Sequence, residues 1–237
     1  MKKIGLLLLL SLLLTACGTS PKQIVNEAIK KLELVDTYQE TLTAKEEVKV
    51  LNKVNKRTII WKKEKDLEHQ VERINTKVTK NKELLEQEEY YYDVKKKTMY
   101  LQDEVTNEWM KEQENSQDIL DYSILTANDV KVEEVKTNKT GIRKYKIELS
   151  EEDMKRLFYR NINEEYVSMI INQKGTIYLY VSTTTGYLTQ IDIDLTNLVD
   201  MQDPDSNCEK MKLEIKYQEY NNLDPIEIPD YVLKTAQ

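Results

Sequence analysis

The sequence predicts an α+β fold: an antiparallel sheet carrying helices on one face. Two observations predict it, and a third excludes a linker protein. Much of the second half alternates apolar and polar residues with period two, the pattern of a sheet with one wet side. Residues 21–35 and 150–172 instead repeat apolar residues at helical spacing. Glycine occurs at only 5 positions and proline at 4, too few for a low-complexity linker.

The chain opens with Lys2 and Lys3, then an apolar run over residues 4–16. As a helix that run rises about 20 Å, short of a ~30 Å hydrocarbon core. A basic start, a short apolar core and small residues at its end make residues 1–16 a secretory signal that is removed. The run closes on Leu14-Thr15-Ala16-Cys17, which resembles the lipobox of bacterial lipoproteins. In that family the cysteine thiol receives a diacylglyceryl group and the chain is cut just before it. The resemblance implies a lipidated Cys17 at the mature N-terminus. Two acyl chains anchor stably where one does not, so it also implies attachment to the extracytoplasmic face of the cell membrane. An ordinary signal peptide with a chance cysteine is the alternative. Residues 17–21 form the tether, and four residues extend at most ~14 Å. The remainder, 22–237, reads as a single domain close to the bilayer.

Ser20 before Pro21 is a helix-start signal. Ile24, Val25, Ala28, Ile29 and Leu32 follow at helical spacing. From about 38 to 112, short β-branched or aromatic segments such as "RTIIWKK", "EEYYYDV" and "TMYLQD" read as strands between polar turns. "SQDIL" at 116–120 reads as the start of a short helix, with Ser116 as its cap. Arg143, Tyr145, Ile147 and Leu149 then share one strand face, as do Ile177, Leu179 and Val181, then Ile191, Ile193 and Leu195, then Met211, Leu213, Ile215 and Tyr217. "TTTGY" at 183–187 is a hairpin turn. In the helical stretch 150–172, Ser150 and Asp153 fit a capping box, and Asn163 could cap a second helix after a break.

The formal charge is −7 and becomes −9 without Lys2 and Lys3, which argues against a nucleic-acid partner. Residues 45–65 nevertheless hold eight Lys/Arg against three Glu. They are either solvated strand faces or a basic face turned to anionic lipid. Cysteine chemistry is sparse. Beside Cys17 there is only Cys208, a buried or free thiol or an intermolecular bridge.

Catalytic patterns are mostly missing, and the reading is a non-enzymatic protein without a cofactor. The single histidine, His69, lies in the polar stretch "DLEHQVE", so no two-histidine metal site is available. Gly141, Gly175 and Gly186 are isolated and form no phosphate loop. Asp192 and Asp194 share a strand face, where solvation competes with acid–base work. Asp200, Asp203 and Asp205 lie close together but lack the glycine and distal glutamate of an EF-hand loop, so they read as an acidic loop, with a cation as the alternative. "NKT" at 138–140 matches a glycosylation sequon, without meaning in a bacterial host. Trp61, Trp109, Phe158, Tyr166 and Met169 remain as candidates to line an apolar cavity, against the plainer reading of core packing.

The layout of these segments, including "YYYDVKKKTMYL", "EWMK", "GTIYLYVSTTTGYLTQIDIDLT" and the closing "YNNLDPIEIPDYVLKTA", resembles Gram-positive lipoproteins. Through them it resembles the LolA-like lipoprotein-carrier and mycobacterial lipid-carrier superfamily. The resemblance covers most of residues 22–235. It implies a curved antiparallel half-barrel, with the N-terminal helix and the mid-chain helical insert on the concave face over an apolar cavity. The implied function is binding or carrying a lipid-like ligand beside the membrane. The alternative is a cell-envelope protein-interaction module without a ligand cavity.

Overall fold

The computed structural model describes residues 19–102, 106, 108–113, 120–158, 173–196 and 206–236. Cys17, Tyr166 and Met169 lie outside these, as do residues 114–119, the second part of the helical stretch, and the acidic loop at 200–205.

The chain enters through α1 (Pro21–Lys31), where Ser20 accepts a hydrogen bond from the Gln23 backbone N–H at 3.2 Å. Pro21 loses nothing at this first position, because its missing N–H would have no partner there. Lys30 and Lys31 sit in the last turn, where cations suit the helix dipole. The helix ends four residues before the periodicity does. Leu32 and Val35 remain buried, but the chain unwinds to bring the Asp36 N–H onto Asn221 Oδ1 at 2.7 Å and enter the sheet.

Strands β1 (Thr37–Val50), β2 (Lys53–Asp66), β3 (Val71–Lys80), β4 (Glu83–Asp93), β5 (Thr98–Gln102) and β6 (Trp109–Gln113) pair successively and antiparallel. β7 (Lys131–Val135), β8 (Ile142–Leu149), β9 (Gly175–Ser182) and β10 (Leu188–Asp194) form a second meander. β11 (Ser206–Gln218) returns to lie between β10 and β1. The result is one curved, unclosed sheet in the order β6-β5-β4-β3-β2-β1-β11-β10-β9-β8-β7. This is the α+β half-barrel that the sequence predicts.

Pairing register puts the period-two residues on a common inner face. Tyr145, Ile147 and Leu149 of β8 face Leu179, Ile177 and Gly175 of β9; Ile191 and Ile193 of β10 stand between β9 and Ile215 and Leu213 of β11. Over this half lie α1, α2 (Tyr122–Thr126) and α3 (Glu151–Phe158). Val25, Ala28, Leu125, Met154 and Leu157 complete a fully buried core. At ~25 cal/mol per Å² of apolar surface, such burial is the main stabilising term.

Helix starts follow their caps. Ser150 accepts from the Asp153 N–H at 3.1 Å and donates to Asp153 Oδ2 at 2.7 Å, as the capping pattern predicts. α2 begins at Tyr122, with Asp121 accepting from the Ser123 N–H at 3.1 Å; the start expected at Ser116 lies outside the described residues. A fourth helix, α4 (Asp230–Thr235), was not expected. It lies on the other face, where Val232 packs with Tyr91, Tyr100 and Trp109. Helices therefore cover both faces, at different ends of the sheet.

Candidate functional site

The inner face changes character along β1, β2 and β3. Ala44, Ile59 and Val78 stand in one row across these strands and continue to Leu213 of β11. The next row is Leu42, Trp61 and Thr76, continuing to Ile215. Leu42, Ala44, Ile59, Trp61 and Leu213 are only half-buried. The described helices contact mainly β7–β10.

Beyond Trp61 the same face becomes charged. Glu40, Lys63, Lys65 and Glu72 are all buried. Lys63 Nζ lies 3.4 Å from Glu72 Oε2, and Lys65 Nζ lies 3.5 Å from Glu72 Oε1. Lys63 also sits over the Trp61 ring at 4.7 Å, and Lys65 over the Tyr38 ring at 5.6 Å. Desolvating such charges is costly unless partners surround them. Tyrosines supply part of that surround. The Tyr122 and Tyr217 hydroxyls meet at 2.5 Å, and Tyr122 donates to Glu40 Oε1 at 3.5 Å. Burial pushes the Tyr217 hydroxyl well above its ordinary pKa, with Tyr122 and Glu40 adding to the rise. It therefore stays protonated. The inner face thus joins an apolar strip to a buried polar cluster.

Trp61 stands at the junction, and Phe158 lies in the core under the helices. Trp109 is on the outer face beside Tyr91 and Tyr231, with ring centroids 6.1 and 6.2 Å away. The structure therefore does not bring Trp61, Trp109 and Phe158 to one space. Sequence reading missed Lys63, Lys65 and Glu72, because a charge on a strand ordinarily signals solvent. On β2 Lys63 and Lys65 share the parity of Trp61, and on β3 Glu72 shares that of Ile74, but parity alone does not separate them from the exposed Lys53.

His69 lies in the turn between β2 and β3, outside any strand. Its Nδ1 is 2.8 Å from Asp66 Oδ2, and Asp66 also accepts from the His69 N–H at 2.9 Å and the Ile226 N–H at 3.0 Å. Burial raises the Asp66 carboxyl, but these bonds outweigh it and hold the group below the usual range. The Asp66 hydrogen bond and charge raise His69. The buried carboxylate thus ties the β2–β3 turn to the segment leading into α4.

Asp192 and Asp194 border an open groove of about 490 Å³ on the outer face, lined also by Lys144, Tyr178 and Tyr180. Asp192 accepts from the Tyr180 hydroxyl at 2.8 Å, and Asp194 pairs with Lys212 at 2.7 Å. Cys208 is a half-buried free thiol, raised chiefly by desolvation. Among the described residues no group of three or more His, Cys, Asp or Glu could hold a metal ion. No described helix is long and apolar enough to cross a membrane.

No family model matches the chain, and no curated protein matches its sequence. Among solved structures, LprF from Mycobacterium bovis is similar with a TM-score of 0.45 and 12% identity, over 89% of this chain and 96% of that one. A β-barrel-like protein of a domain of unknown function from Brucella abortus has a TM-score of 0.29 and 5% identity, over 78% and 96%. A putative outer membrane lipoprotein-sorting protein domain from Vibrio parahaemolyticus has a TM-score of 0.24 and 9% identity, over 90% and 97%.

Proposed function

We propose that this chain is a non-enzymatic lipoprotein of the extracytoplasmic membrane face, anchored through diacylglyceryl-Cys17, that binds or carries a lipid-like ligand on the inner face of its half-barrel. One observation carries the reading: two rows of side chains, all apolar except Thr76, cross β11, β1, β2 and β3 and border a buried charged cluster. An acyl chain lies along apolar rows, and a polar head needs fixed charges or hydroxyls at one end. Lys63, Lys65 and the tyrosines offer both. The leader and the Leu-Thr-Ala-Cys motif support the anchor.

Native mass spectrometry and lipid extraction of residues 18–237, which contain every described element, test the ligand. Co-purified lipid or saturable uptake of a fluorescent fatty acid is expected. Trp61→Ala is expected to weaken uptake roughly tenfold, since it removes a large apolar contact, while leaving circular dichroism unchanged. A homogeneous protein that carries no lipid and takes up neither fatty acid nor phospholipid sinks the carrier reading. Metabolic labelling with palmitate tests the anchor, and label must vanish in Cys17→Ala.

A further inference from the structure

We infer that the tips of the β1–β2 and β3–β4 hairpins dock directly on an anionic bilayer surface. Both hairpins turn at the same end of the sheet, two strand spacings apart, or roughly 10 Å. Their apolar residues point into solvent: Leu51 is 70% exposed, Leu84 55% and Leu85 59%. Leu51 occupies the two-residue turn between Val50 and Lys53 with φ of 54°. That left-handed conformation suits glycine or asparagine and is unfavourable for a bulky side chain. A leucine there gains nothing from the fold. Leu85 is the extra residue of the bulge between β3 and β4, which leaves it unpaired at the sheet edge.

Basic side chains surround these leucines. Lys49, Lys53, Lys56 and Arg57 flank the first tip, and Lys77, Lys80 and Lys82 the second, all exposed. Residues 49–58 and 77–82 contain no acid at all. Among the described residues, Lys56 alone of the seven is in an ion pair, with Glu47 at 2.8 Å. Set against Glu46, Glu47, Glu83 and Glu86 on the same strands, their sum remains positive, on a chain whose total is −7. Exposed leucines ringed by lysines match an interface where acyl chains lie just beneath anionic headgroups.

The start of the chain lies at this same end. Lys22, in the first turn of α1, donates to the Ala127 and Asn128 carbonyls at 2.6 and 2.7 Å, just before β7 begins. β7 begins where β8 ends, and β1 ends, β3 ends and β11 begins at that same end. On the anchor proposed above, Cys17 precedes Ser20 by three residues, so the anchor would enter the membrane from the same end of the sheet that carries the tips. The apolar rows of the inner face also lie towards this end, with the charged cluster farther away.

The test uses unlipidated residues 18–237 with phosphatidylglycerol–phosphatidylcholine vesicles, so it is independent of both the anchor and ligand uptake. Co-sedimentation is expected with the anionic vesicles, falling steeply with salt, and not with pure phosphatidylcholine. Lys53→Glu/Arg57→Glu/Lys80→Glu is expected to weaken binding about a hundredfold or more. Leu51→Ser/Leu84→Ser is expected to weaken it roughly tenfold. Lys95→Glu/Lys97→Glu, at the β4–β5 turn on the opposite end, serves as the control and should retain binding. Equal binding to neutral vesicles, an equal loss in the control, or no loss in the tip variants overturns the inference.

Discussion

Tyrosine takes the place of phenylalanine throughout this protein, with 15 tyrosines to one phenylalanine. The structure gives a physical reason. A buried tyrosine fills apolar volume and still places a hydroxyl on a polar partner. Tyr220 donates to the Leu188 carbonyl at 2.5 Å while its ring stacks on Tyr187, with centroids 4.3 Å apart. Tyr90 meets Thr76 at 2.6 Å. Such residues let polar inner-face positions stay inside the fold. His69 is the residue whose charge changes nearest neutral pH. Its folded pKa is raised by the Asp66 hydrogen bond and charge. The stabilisation is complete below the unfolded value of about 6.5 and is lost as pH rises through the folded value above it. Asp66 is lowered in the fold, so its contribution is present above about pH 4 and is lost as pH falls through its folded value. Tm is therefore expected to fall between pH 6 and pH 8.5, and His69→Gln should flatten that fall in scanning calorimetry. An identical slope in the variant would remove His69 as its source.

At the scale of elements, local signals set the starts of helices better than their identity or destination. Ser20 and Ser150 cap α1 and α3 as their sequence neighbours predict. Ser150→Ala is expected to cost about 1 kcal/mol in urea denaturation, and Ser150→Asp should recover most of it. α4 escaped notice because six residues are too few to establish a helical period. Its place is fixed from outside: Val232 sits against Tyr91, Tyr100 and Trp109. The β2–β3 turn likewise carries no local turn signal, since "DLEHQVE" is polar without glycine or proline. Gln70, with φ of 58°, supplies the left-handed residue that the turn requires. The alternating strands β8 to β11 were plain, because each buries one face and wets the other.

For the whole molecule, the decisive pairing is β1 with β11, which joins the two meanders into one sheet. Ile215 is buried at that junction, opposite Leu42 and Ile191. Ile215→Ala is expected to cost about 2–5 kcal/mol. Tryptophan fluorescence reports the β1–β6 half, where both tryptophans lie, and far-ultraviolet circular dichroism reports all strands. If the sheet unfolds as one unit, their midpoints should fall together. Separated midpoints would mean two independent halves. Alternation and helical period determined the α+β class, the strand faces and two of the helix starts, because these depend on neighbours only a few residues apart. The tertiary structure alone decided which charges are inside. Lys63 and Glu72 carry the same chemistry in the sequence as the exposed Lys53 and Glu83, and strand pairing puts all four on the same face; one pair is inside because it lies at the other end of the strands, beside Glu40 and the tyrosines. Register also set Trp61 and Trp109 on opposite faces and brought two distant hairpin tips to one end. Contacts between residues far apart in the chain are fixed by packing the whole sheet, and no local pattern carries them.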